Sequence, residues 1–141
     1  MLEQLVYLSL ASCFDQSVLE YVSIHKSSEG LRVNKWKHKR SVRYRYDKTA
    51  QSYDHRYCNE QEAKYQAALD GLAVTSHSIV LDVGCGTGLF FDRIADKANK
   101  VVGLDLSREL LFKSKSRAKA CDNVFVILGD ADFLPFVDGF F

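Results

Sequence analysis

Leu81-Asp82-Val83-Gly84-Cys85-Gly86-Thr87-Gly88-Leu89-Phe90 sets three glycines at alternate positions directly after a run, Ile79 to Val83, that is apolar except for Asp82. A short buried strand that turns through glycines into a helix is an arrangement in which backbone approaches a ligand closely. Gly84, Gly86 and Gly88 remove the Cβ atoms that would block that approach. Downstream, Leu89 to Ala98 reads as a helix with Phe90, Phe91, Ile94, Ala95 and Ala98 on one side. Val101 to Asp105 reads as a second strand. Ser107 caps a helix running to about Ala120, with Leu110, Leu111 and Ala118 inward. Val124 to Leu128 is a third strand, closing on Gly129-Asp130. This β-α-β-α-β series predicts a parallel sheet with right-handed crossovers and flanking helices, a Rossmann-like α/β fold.

Upstream of the loop, Asn59 and Glu62 have the spacing of a capping box, and Tyr65, Ala68, Leu69 and Leu72 follow at helical spacing. With Gly71 near the end, a helix is expected over 59–71, and 73–78 is a connector.

Asp105 ends the second strand seventeen residues beyond Gly88, and Asp130 follows the third. The carboxyl edge of an open α/β sheet is where ligands bind, and a carboxylate there can accept from both hydroxyls of a ribose. Each aspartate alone has an ordinary structural reading: Asp82 as a turn cap, Asp105 as a contact to the next helix, Asp130 as the start of a turn. Their placement at three successive strand ends favours a ligand. A dinucleotide wants GxGxxG, whereas here the position for the third glycine is Leu89. Asp82, two residues before Gly84, would repel a pyrophosphate and suit an amine. A ligand with an amine, a ribose and no phosphate fits, which sets a nicotinamide-dependent oxidoreductase below a user of S-adenosylmethionine.

Residues 79–90, 101–107 and 129–136 resemble the first three motifs of the class I S-adenosylmethionine-dependent methyltransferases. YDKTAQSYDHRY, Tyr46 to Tyr57, resembles the Y-D-x-x-A-x-x-Y-D segment of their small-molecule branch, which includes ubiquinone and menaquinone methyltransferases. The resemblance covers about residues 44–141. It implies that Asp82 and the backbone of Gly84, Cys85, Gly86 and Gly88 hold the methionine moiety of S-adenosyl-L-methionine. It implies Asp105 on the ribose diol, Leu106 beside the adenine, Asp130 on the adenine amino group and the Ala131 backbone at a ring nitrogen. Tyr46 and Tyr53 would belong to a lid, a role set level with ordinary helix packing for both and for Tyr57. The acceptor would be a small molecule. No residue is named as a catalytic base, and a non-catalytic module that binds the same cofactor predicts the same motifs.

The rest of the chain bounds this reading. With 141 residues, 47% hydrophobic and 26% charged, it can bury a core, and its net charge of +1 gives no overall pull toward nucleic acid or membrane. Four cysteines form no CxxC pair and four histidines show no ligand spacing, so no metal is expected and reduced, cytoplasmic thiols are the simplest account. MLEQLVYLSLASCF is too short and too polar for a membrane span; it reads as a helix with Leu2, Leu5, Val6, Ser9 and Leu10 on one face. Residues 25–48 are strongly basic with Trp36, Tyr44 and Tyr46 interleaved. They read as a solvated, partly disordered lead-in, with a nucleic-acid arm as the second reading.

Residues 1–45 are therefore expected to be an N-terminal extension with a basic linker, and 46–141 the N-terminal part of a methyltransferase domain. The chain supplies three strands of the family's seven, as a C-terminally truncated fragment would, with a short protein that pairs its open edge with a partner chain as the second reading. The strand Ile79–Val83 is then expected to stand as an open apolar edge.

Overall fold

The computed structural model describes residues 5–9 and 29–141. Among these residues four strands form one parallel sheet in the order β1-β2-β3-β4: β1 (Leu5–Ser9), β2 (Ile79–Val83), β3 (Lys100–Asp105) and β4 (Val124–Leu128). Among the described residues the helices are α1 (Glu29–Thr49), α2 (Tyr53–Gly71), α3 (Phe91–Ile94) and α4 (Arg108–Ala118), with a 3₁₀ turn at Ala50–Ser52 joining α1 to α2.

The three expected strands are present, and a fourth joins them. β1 pairs with β2 from Leu5 opposite Ile79 to Ser9 opposite Val83. This overturns two expectations. Residues 5–9 are strand and not helix, and β2 is not an open edge. LVYLS is rich in strand formers, and the edge of β2 offers it a row of unpaired backbone groups. Leu2 and Leu10, the other members of the expected apolar face, lie outside the described residues.

The sheet alternates as a strand must. Val80, Val101 and Val124 join Tyr65, Phe90, Phe91, Ile94 and Leu111 in the main core. Leu81, Val83, Val102 and Leu104 face the other way, toward Ile127, Phe136 and Phe141. All five residues expected on the inner face after the glycine loop are buried. The helix carrying them is shorter than the expected 89–98, because bonds from Phe91 N to Gly88 O, Arg93 N to Phe90 O and Lys97 N to Ile94 O form tight turns around one helical turn.

Two upstream elements are longer than expected. α2 begins at Tyr53, so Asn59 lies inside it and is not an N-cap. Tyr53, Gln61 and Tyr65, all buried, share one ridge of this helix, and their packing favours helix through Asn59 regardless of the local capping signal. The basic segment is not a disordered lead-in from Glu29 onward but the 21-residue α1. Lysine and arginine are good helix formers, and the helix is fastened to the sheet layer at Lys39 and Asp47.

Candidate cofactor-binding site

The carboxyl ends of β2, β3 and β4 converge on the glycine loop. Gly84, Gly86 and Gly88 have φ of 81°, 55° and 76°, the left-handed region that side chains disfavour. Gly84 N and Cys85 N both donate to Leu104 O, at 2.7 and 3.1 Å, which pins the loop onto the end of β3. The three glycines serve different ends. A Cβ on Gly84 would meet nothing within 4 Å, so that position opens onto free space. One on Gly86 would lie 3.7 Å from the Tyr53 ring. One on Gly88 would lie 2.5 Å from Phe91, so the protein's own packing already requires glycine there.

Asp105 ties β3 to the loop. Its Oδ2 accepts from Gly86 N at 2.8 Å and its Oδ1 from Ser107 N at 2.7 Å. Each carboxylate oxygen retains further acceptor capacity, so the group can still receive hydroxyl donors. Burial pushes its pKa up, against the pull of these backbone bonds.

Asp82 is the most unusual group. It is buried at 1% exposure, and its Oδ1 is the one buried side-chain polar atom without a hydrogen-bond partner among the described residues. Burial, and then the negative charge of Asp105, push its pKa up to about 7. A buried acceptor left unmade is costly, and such cases in native proteins call for a reason. Asp82 opens into a pocket lined by Tyr53, Gln61, Tyr65, Gly84, Cys85 and Thr87. A cationic donor entering there would satisfy Oδ1 and restore the carboxylate. Cys85 is also buried, and that burial, with Asp82 and Asp105 nearby, holds its thiol well above the usual range. It is therefore not a thiolate nucleophile. Cys85 and Cys121 are free thiols.

α1, the 3₁₀ turn and α2 cover the loop. Tyr53 packs with Ala50 and Leu110 and meets Tyr46 edge-on at 5.9 Å between centroids. The aspartates that follow the two tyrosines fasten this cover. Asp47 Oδ1 accepts from Ser107 Oγ at 2.6 Å, and Ser107 Oγ in turn accepts from Leu110 N, capping α4. Asp54 Oδ1 accepts from Thr87 Oγ1 at 2.5 Å. At the far end, both Asp130 oxygens accept from Lys39 Nζ, at 2.5 and 2.6 Å. Leu106 is half-buried near Asp105, and Ala131 is exposed beside Asp130.

The structure thus brings Tyr46, Tyr53, Asp82, Gly84, Cys85, Gly86, Asp105 and Leu106 to one end of the sheet, with Asp130 and Ala131 at its β4 side. Sequence reasoning missed Gln61 and Tyr65, whose spacing of four and eight residues beyond Tyr57 was the available signal. It also missed Lys39, Asp47, Asp54 and Arg117, whose partners lie far off in sequence. Among the described residues no group of acidic, histidine and cysteine side chains could hold a metal ion.

Residues 80–141 match a methyltransferase domain family. The chain is 35% identical over 106 residues to the demethylmenaquinone methyltransferase of Tropheryma whipplei, a match covering 72% of this chain and 44% of that protein. It is 33% identical over 100 residues to the malonyl-[acyl-carrier protein] O-methyltransferase of Hamiltonella defensa, covering 71% and 37%. The solved DhpI–SAH complex superposes with a TM-score of 0.58 at 27% identity, covering 69% of this chain and 48% of that one. The chain spans less than half the length of these relatives. With the glycine loop, the strand-end aspartates and the parallel sheet, these matches show that the chain belongs to the class I S-adenosylmethionine-dependent methyltransferases.

Proposed function

We propose that this chain forms the methyl-donor half of a methyltransferase acting on a small-molecule acceptor. Residues 46–141 would be the N-terminal part of the methyltransferase domain and residues 1–45 an extension of it. The observation that carries the reading is Asp82: a buried, unpartnered carboxylate oxygen beside left-handed glycines, at the ligand-binding edge of the sheet.

In this reading Asp82 and the Gly84–Gly88 backbone receive the methionine end, with Asp82 taking the ammonium. Asp105 accepts from the ribose hydroxyls while still holding Gly86 N and Ser107 N. Leu106 flanks the adenine, Asp130 accepts from its amino group and the Ala131 backbone reaches a ring nitrogen. Tyr46 and Tyr53 close over the whole. S-adenosylmethionine, when bound, supplies an electrophilic methyl group on a sulfonium. The protein's share is then alignment and exclusion of water, which the buried Tyr53, Gln61 and Tyr65 supply at the loop.

The relatives compared above are named for small acceptors or a carrier-bound acyl group, which supports a small-molecule acceptor here. Nucleic acid is the second reading. It is favoured by one observation, the exposed Lys37, Arg40, Arg45 and Lys48 on α1 with Trp36 and Tyr44 exposed beside them. No described helix is long and apolar enough to cross a membrane. The free thiols support a reducing, cytoplasmic setting.

Calorimetric titration with S-adenosylmethionine, S-adenosylhomocysteine and NADH tests the reading. Saturable binding of the first two is expected, lost in Asp105→Ala and absent for NADH. Binding of NADH alone would return the oxidoreductase reading.

A further inference from the structure

Thr87 sits between two glycines, at the centre of a loop that has little intrinsic conformational preference. Something must fix it, and three hydrogen bonds close a ring around it. Thr87 Oγ1 donates to Asp54 Oδ1 at 2.5 Å. Arg117 Nη1 donates to the Thr87 carbonyl at 2.6 Å. The same guanidinium donates from Nη2 to Asp54 Oδ2 at 2.8 Å. Asp54 comes from α2, which covers the site, and Arg117 from α4, behind the loop. Neither lines the pocket, whereas Thr87, only 1% exposed, does.

We propose that Asp54 and Arg117 are positioning residues that set the shape of the glycine loop through Thr87 and make that shape depend on α2 being seated. The inference rests on reading the loop as the methyl-donor site. Arg117 is suited to the task because its planar fork engages a carbonyl and a carboxylate at once, which lysine cannot do in this geometry. The ring joins three elements that share no backbone ladder at this point. Lifting α2 removes Asp54, which leaves the Thr87 hydroxyl without its acceptor and Arg117 without its counter-ion. The loop's ordered shape and the covering helix are then one cooperative unit. A ligand that needs the shaped loop thereby draws α2 down over itself. Asp47 does the equivalent one segment earlier, holding the end of α1 to Ser107, two residues after Asp105. The repeated Tyr-Asp pair thus reads as a tyrosine that faces inward followed by an aspartate that fastens.

The test uses the full chain and four variants, Thr87→Ser, Thr87→Val, Asp54→Asn and Arg117→Lys, with two readouts. Calorimetry with S-adenosylhomocysteine reads the site, and amide hydrogen exchange of the ligand-free chain reads the loop. Thr87→Ser keeps the hydroxyl and is expected to bind within about twofold of the parent. Thr87→Val, Asp54→Asn and Arg117→Lys are expected to bind at least about tenfold more weakly. In the same three variants the amides of Gly86, Thr87 and Gly88 should exchange faster, while those of Val101 to Leu104 in β3 stay as protected as in the parent. Unchanged affinity and unchanged loop exchange in Thr87→Val and Asp54→Asn would overturn the proposal. A parent chain that binds no S-adenosylhomocysteine would overturn the donor-site reading, and loop exchange would then still decide whether the ring fixes the loop. Faster exchange throughout β3 would also count against it, because the ring would then be general scaffolding.

Discussion

Lys39 and Asp130 stand 91 residues apart in the chain, and the Lys39 ammonium reaches both oxygens of the Asp130 carboxylate, at 2.5 and 2.6 Å. The same ammonium bonds Asp132 at 2.8 Å and lies over the Trp36 and Phe133 rings, 5.8 and 5.9 Å from their centroids. Asp130 is the group proposed to receive the adenine amino group, so α1 holds the place that this donor would take. Ligand binding then has to displace or share Lys39. The pair is partly exposed, at 23% and 13% of the two side chains, so its net worth is small, about 1 kcal/mol or less. Lys39→Met is therefore expected to tighten S-adenosylhomocysteine binding by up to about fivefold. Added salt should tighten binding to the parent and leave Lys39→Met unchanged. Weaker binding to Lys39→Met would mean that Lys39 helps to hold the ligand.

The glycines of the loop separate approach from packing. Gly84→Ala meets no steric neighbour and carries only the strain of a positive φ, about 1 kcal/mol. It should lower the melting temperature by only a few degrees, yet it places a methyl group in the open space beside Asp82 and should strongly weaken ligand binding. Gly88→Ala adds a clash with Phe91, a fully buried core residue, to the same strain. It should be the more destabilising of the two by several degrees. Thermal melts with and without S-adenosylhomocysteine distinguish the cases.

Asp82 gives the site a pH signature. Its carboxyl is raised from 3.8 to about 7 by burial and by Asp105. The native chain therefore keeps a proton that the unfolded chain has lost, and ligand-free stability should fall as pH rises from about 4 to about 7. Asp82→Asn should flatten that slope. A cationic ligand favours the carboxylate, so binding at about pH 6 should release up to about one proton. Titrations in buffers of different ionisation enthalpy measure that release, and Asp82→Asn should abolish it.

The sequence was most informative where local pattern and tertiary demand coincide. β2, β3 and β4 are runs of apolar and β-branched residues bounded by turns, and Ser107 caps α4 as its spacing predicts. It misled where a long-range partner decides. Residues 5–9 carry apolar residues that suit either a helix face or a strand, and only the waiting edge of β2 selects the strand. The Asn59–Glu62 spacing resembles a cap, but the packing of Tyr53, Gln61 and Tyr65 carries the helix through it. The strand-end aspartates were legible because each lies at or close to the carboxyl end of its own strand. Lys39 and Arg117 were not, because nothing near them in sequence marks the carboxylate each one meets.

β1 carries the last prediction. It covers the edge of β2 with five residues in register, from Leu5 to Ser9. β2 is an apolar strand, and without β1 its backbone N–H and C=O groups on that side would face solvent as a template for another chain. β1 also ends at the ligand-binding edge, with Ser9 opposite Val83, the residue before Gly84. Removal of residues 1–10 should therefore have two effects. The shortened chain should self-associate as its concentration rises, which sedimentation velocity would detect. Ligand affinity should fall, because the end of β2 that launches the glycine loop loses its ladder on one side. The β3 and β4 pairings are untouched by the deletion, so amide protection of Val101 to Leu104 should persist. A shortened chain that stays monomeric and binds as the parent does would mean that β1 contributes nothing to the sheet that β2 needs.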